Sequence, residues 1–176
     1  MDAQVDWSAY FVAIGGLAGT IFAIVLAVRP LAANLQREHV GLRFAERIEA
    51  AAVTFELAAA AIFAFAFLIR GSWLAHFVTA IVATTGLILI AWRVRAHWQV
   101  WKHDRVPLRK RDHFSTGMHI LPLSAYALGG AWAYTTLPVD WYGLATSWLV
   151  LSGILQAVLW FFAAWDDSFR ESDRDA

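Results

Sequence analysis

The sequence predicts an all-α integral membrane protein, a bundle of five transmembrane helices with its N-terminus outside and its C-terminus inside. Three observations carry that prediction. Of 176 residues, 60% are hydrophobic, only 16% are charged and ten are tryptophan, which is too apolar for an ordinary soluble domain. The charges sit almost entirely in connections and tails, leaving five apolar stretches near the roughly 20 residues that cross a hydrocarbon core. Lysine and arginine, finally, fall almost all on one side of those stretches.

Trp7 to Val28 runs 22 residues without a charge and is the first span. A cleavable signal peptide would need a basic segment ahead of a shorter apolar run, so a retained helix is expected. Residues 29–49 form the first cytoplasmic loop. Pro30 is expected to bend or end the first helix there, and Leu42, Ala45 and Ile48 recur on one helical face beside Arg43, Glu46 and Arg47. The second span, 50–69, is interrupted by Glu56. Arg70, Gly71 and Ser72 allow only a tight turn before the third, 71–92, which carries His76.

Residues 93–113 are the most basic part of the chain, with Arg93, Arg95, Lys102, Arg105, Arg109, Lys110 and Arg111. Such a segment stays out of the bilayer. Val94, Trp98 and Trp101 continue the helical period of the third span, so that helix is expected to extend until Pro107 stops it. The fourth span, 114–137, carries His119 and Pro122. Pro138 and Asp140 mark a turn, and the fifth span, 141–165, is uncharged throughout before a charged tail, 166–176.

This assignment places thirteen of the fourteen basic residues on the cytoplasmic side and leaves Arg70 alone outside, as the positive-inside bias requires. Trp7, Trp73, Trp141 and Tyr142 then fall at the outer interface and Trp92, Trp98, Trp101 and Trp165 at the inner one, forming aromatic belts. The seven basic residues of 93–113, with tryptophans interleaved beside a membrane span, point to anionic lipid headgroups rather than nucleic acid.

The candidate site residues are those that are expensive at their depth. Glu56 lies about seven residues, so roughly 10 Å, from the cytoplasmic end of its span, where an uncompensated carboxylate is costly. His119 and Gln156 fall in the same inner third. If the second, fourth and fifth helices meet, Glu56 can hydrogen-bond either, a grouping suited to holding a proton or an ion. Tyr126 stands seven residues beyond His119 on one face, Ser152 and Gln156 lie on a stripe with Trp148 and Trp160, and Glu49 stands seven before Glu56. The competing reading of Glu56, His119, Tyr126 and Gln156 is a packing cluster whose interhelical bonds are worth about 0.6 kcal/mol each. His76, near the outer end of its span, is expected to be solvated; Glu49, His76 and Ser152 are secondary candidates.

No cofactor, metal or catalytic residue is predicted. Cysteine is absent, which removes disulfides and thiolate chemistry. His39, His97, His103 and His113 lack metal-ligand spacing such as HExxH, and His76 and His119 fall near opposite faces of the membrane, against bis-histidine haem ligation within one subunit. No Walker motif, GxSxG elbow or dinucleotide fingerprint occurs. Gly15 with Gly19, Ala125 with Gly129 and Gly143 with Ser147 form small-xxx-small patterns that permit close helix approach.

The first span, YFVAIGGLAGTIFAIVLAV, resembles the opening of small five-span bacterial integral membrane proteins, a group mostly uncharacterised. The resemblance covers about twenty residues. It implies a bacterial cytoplasmic (inner) membrane as the location and transfers no activity and no site residue. Three functional classes follow, in this order. The first is a non-enzymatic structural or regulatory membrane partner, homo-oligomeric or bound to another membrane protein. The second is an oligomeric proton or ion pathway through Glu56. The third is a membrane enzyme or redox subunit acting on lipid or quinone.

Overall fold

The computed structural model describes residues 6–35, 42–70, 72–104, 119–135 and 137–172. Within them the chain forms five α-helices and no strand: α1 (Trp7–Leu35), α2 (Leu42–Leu68), α3 (Trp73–Asp104), α4 (Ile120–Tyr134) and α5 (Val139–Ser172). Four contain stretches long and apolar enough to cross a membrane: Trp7–Ala27, Ala51–Leu68, Trp73–Ala96 and Val139–Leu159. The remaining helix, α4, has 15 residues and rises only about 22 Å, short of a core roughly 30 Å thick. The beginning of the fourth span expected at 114–137 lies outside the described residues.

Helix ends follow from local chemistry. Asp6 caps α1, its Oδ1 accepting from the backbone N–H of Ser8 at 3.0 Å and of Ala9 at 3.1 Å, which satisfies donors the first turn leaves open. Ser72 does the same for α3 by accepting from the Ala75 N–H at 3.2 Å, while its own hydroxyl donates to the Ile69 carbonyl. The α2–α3 connection is thus as tight as the sequence predicts. Asp140 sits in the first turn of α5, where the helix dipole favours an anion. Pro30, by contrast, does not end α1, which continues to Leu35. Of the two outcomes expected at Pro30, bending or ending, the ending is corrected.

Contacts give the direction of every helix. Gly15 meets Ala64 and Phe11 meets Phe67, so α1 and α2 are antiparallel. Gly86 meets Tyr126 and Gly130 meets Ala83, so α3 and α4 are antiparallel as well. Thr79 reaches Tyr142 and, fourteen residues on along both helices, Arg93 reaches Gln156. α3 and α5 are therefore parallel, and the bundle alternates. α2, α3, α4 and α5 form a four-helix ring in chain order, closed by the packing of α2 on α5, and α1 lies outside along the α2–α5 seam. Only 11% of the α1 span is buried inside the molecule, against 56% of the α2 span.

One end of the bundle is clamped by aromatic rings, one from each helix. Phe11 of α1 stacks on Phe67 of α2 at 4.0 Å between centroids, and Phe67 on Tyr142 of α5 at 6.3 Å. Tyr142 stacks on Trp132 of α4 at 4.2 Å, and Trp132 on His76 of α3 at 4.9 Å. Tyr142 also donates its hydroxyl to the Phe63 carbonyl at 2.9 Å. The other end, about 21 Å away by the fourteen-residue spacing along α3, holds the polar groups.

Candidate functional site

The site is built on four helices by a repeat of seven residues. Thr79, Gly86 and Arg93 line one face of α3; Tyr142, Leu149 and Gln156 line one face of α5; Glu56 and Phe63 share a face of α2, and His119 and Tyr126 a face of α4. Two helical turns separate successive members, so each set points into the ring. Glu56 and Arg93 are each 2% exposed, Gln156 5% and Ser152 0%.

Gln156 is the hub. Its Oε1 accepts from Arg93 Nη1 at 2.6 Å. Its Nε2 donates to the Glu56 carboxylate, at 3.0 Å to Oε2 and 3.2 Å to Oε1, and to Ser152 Oγ at 2.7 Å. The amide thus uses its acceptor on the cation and its donors on the anion, which fixes its orientation. Arg93 Nη1 also lies 3.8 Å from Glu56 Oε1. One positive and one negative side chain are buried together, so the cluster carries no net charge in its ionised form. That is the arrangement a low-dielectric interior requires of charge.

Gln156 thus joins Glu56 of α2 to Ser152 of its own helix. Tyr126, 1% exposed, flanks them on α4. Its ring lies 6.1 Å from that of Phe55, the residue before Glu56, and against Gly86, where an added Cβ would fall 2.4 Å from ring atoms. His119 is buried where α4 begins. His76 does not join the cluster. It stands at the opposite end, exposed and stacked on Trp132.

The expectation for Arg93 needs correction. Assigned by its neighbours in sequence to lipid headgroups, it instead turns into the ring, because it occupies the inward face set by Thr79 and Gly86, whereas Trp92 beside it is 62% exposed. Arg95 is exposed. The side chains of Glu49, Lys102 and Trp160 lie outside what the structure describes, as do residues Arg105, Arg109, Lys110 and Arg111 altogether.

The arrangement can hold or exchange a proton at Glu56, orient a carboxylate against a guanidinium, or lock three helices together. Among the described residues no three of His, Cys, Asp or Glu gather around one point. No family model, curated protein or solved structure matches the chain.

Proposed function

We propose that this chain is a five-span protein of the bacterial inner membrane, N-terminus outside and C-terminus inside, acting as a non-enzymatic structural or regulatory partner. The observation that carries this reading is the closure of the polar cluster on itself. Arg93, Gln156, Ser152 and Glu56 hydrogen-bond to one another in one buried chain, which favours a lock between α2, α3 and α5 over a site presenting reactive groups to a substrate. What the molecule offers outward is then its helix faces, its basic cytoplasmic loops and anionic-lipid contacts through residues such as Arg95 and Lys102. The little-buried α1, with Val12, Leu17 and Ile24 exposed, is the face for a second copy or another membrane protein.

Photo-crosslinking from positions 12, 17 and 24 in native membranes tests this. A recurrent polypeptide adduct that survives replacement of both Glu56 and Arg93 by Gln supports the partner reading; adducts to lipid alone overturn it.

A second reading is favoured by Tyr126, whose buried hydroxyl has no hydrogen-bonding group among the described residues. In this reading Glu56 is the titrating group of a proton pathway. Proteoliposome flux that falls in the Glu56→Gln, Arg93→Gln double variant supports it, and absence of flux in the parent protein across pH and voltage removes it. The double variant is the proper control, since Glu56→Gln alone strands a buried cation.

A further inference from the structure

Two tyrosines are buried in this bundle, and they are treated differently. Tyr142 donates its hydroxyl to the Phe63 carbonyl at 2.9 Å and meets Thr79 Oγ1 at 3.3 Å. The Tyr126 hydroxyl, equally enclosed, meets no such group among the described residues. A hydroxyl stripped of hydrogen bonds in apolar surroundings is costly. Nor can this one swing aside: the tip of its ring rests in the space that Gly86 leaves, with Cε1 and Cζ both 2.4 Å from where a Cβ would stand, and Phe55 flanks the ring.

What the pinned hydroxyl faces follows from helix geometry. Side chains on a helix lean towards its N-terminus, and α4 begins at the end of the bundle that holds Glu56, Arg93 and Gln156. Glu56 directly follows Phe55, whose ring lies 6.1 Å from that of Tyr126. A carboxylate has about four acceptor positions, and one amide nitrogen, Gln156 Nε2, serves both of its oxygens. One buried group with a proton to donate and one with acceptor positions to spare thus belong to the same end of the ring's interior.

We propose that a water molecule binds at the Tyr126 hydroxyl, accepting from it and donating to the Glu56 carboxylate. The site takes water because the buried hydroxyl and the buried carboxylate require opposite hydrogen-bonding roles, which a single water supplies. The water converts the closed charge lock into a hydrated one. It also starts a polar line along α4 towards His119, seven residues and about 10 Å nearer the helix start. Only that last consequence, proton exchange at Glu56, rests on the second functional reading; the water stands or falls separately.

Pulsed X-ray hydroxyl-radical footprinting of the wild-type protein in nanodiscs tests it, because radicals generated from a bound water modify the side chain beside it. Tyr126 is expected to be modified several-fold faster than Tyr142, the matched buried control. Equal, slow modification of both overturns the proposal. Tyr126→Phe supplies the second readout: loss of the water's partner is expected to lower the melting temperature and shift the Glu56 carboxyl infrared band. An unchanged or higher melting temperature with an unchanged band overturns it, since deleting an orphaned hydroxyl does no harm. A labelled Tyr126 without Glu56-dependent flux keeps the water and removes only the conduction reading.

Discussion

Gln156 stands where neither a charged nor an apolar residue would serve. A carboxylate there would face Glu56 with like charge, and leucine would leave Arg93 and Glu56 to each other across 3.8 Å without the bonds at 2.6 and 3.0 Å that now order them. The energetic consequence lies in the asymmetry between breaking a buried pair and replacing it. Arg93→Gln or Glu56→Gln alone leaves one uncompensated charge in the ring and is expected to cost about 3–5 kcal/mol. The double replacement, which puts neutral amides on either side of Gln156, is expected to recover most of that loss. A double-mutant cycle on unfolding in mild detergent measures it, and the coupling should persist at high salt because buried pairs are little screened. At this scale the sequence was partly legible. Glu56, Ser152 and Gln156 betray themselves by polarity within apolar runs. Arg93 does not, because it adjoins a basic loop and chain proximity suggests solvent. The signal was the interval of seven from Thr79 through Gly86 to Arg93, which outweighs the neighbouring charges because a helix face, not a sequence window, decides where a side chain points.

Among the helices, close approach depends on where small residues face rather than on their presence. GGLAG in α1 offers Gly15, Gly16 and Gly19, yet only Gly15 is pressed: a Cβ there would lie 2.9 Å from Ala64 Cβ, whereas Gly16 and Gly19 have nothing within 4 Å. A leucine at position 15 is therefore expected to pry α1 from α2, and one at 19 to leave that packing intact, read as the difference in melting temperature between the two variants. Gly129 on α4 makes the same point more sharply, with its absent Cβ 2.4 Å from the Phe63 ring. Gly129→Ala must displace a buried aromatic in the ring's interior, and overpacking of this kind costs about 1–3 kcal/mol. Chemical denaturation of Gly129→Ala against Gly130→Ala checks it, since position 130 meets only Ala83 at an ordinary 3.5 Å. Helix existence and spacing were readable from apolar runs and turn residues. The ring stack from Phe11 to His76 was not, because it requires one aromatic from each of five helices at one level, and levels emerge only once the helices are in register.

For the whole molecule, the alternation of helix directions makes orientation a single binary property. Trp7 packs on Gly143, Phe11 on Phe67 and Phe67 on Tyr142, so the start of α1, the α2–α3 turn and the start of α5 share one end. Arg93, fourteen residues along α3 from Thr79, lies at the other. The parallel pairing of α3 with α5 puts Arg70 and Asp140 at the same end of the bundle. The orientation proposed above rests on the distribution of basic residues, whose bias is towards the cytoplasmic side. Because the chain has no cysteine, single thiols can be introduced at the exposed positions Ser8, Arg70, Asp140 and Arg95 without background. A membrane-impermeant maleimide applied to intact bacterial spheroplasts is expected to label Ser8→Cys, Arg70→Cys and Asp140→Cys, and to reach Arg95→Cys only after permeabilisation. The inverse pattern would keep the bundle and reverse the orientation. Labelling that splits Arg70→Cys from Asp140→Cys would instead mean that α4 does not carry the chain across, and the four-helix ring around Glu56 would fall with it.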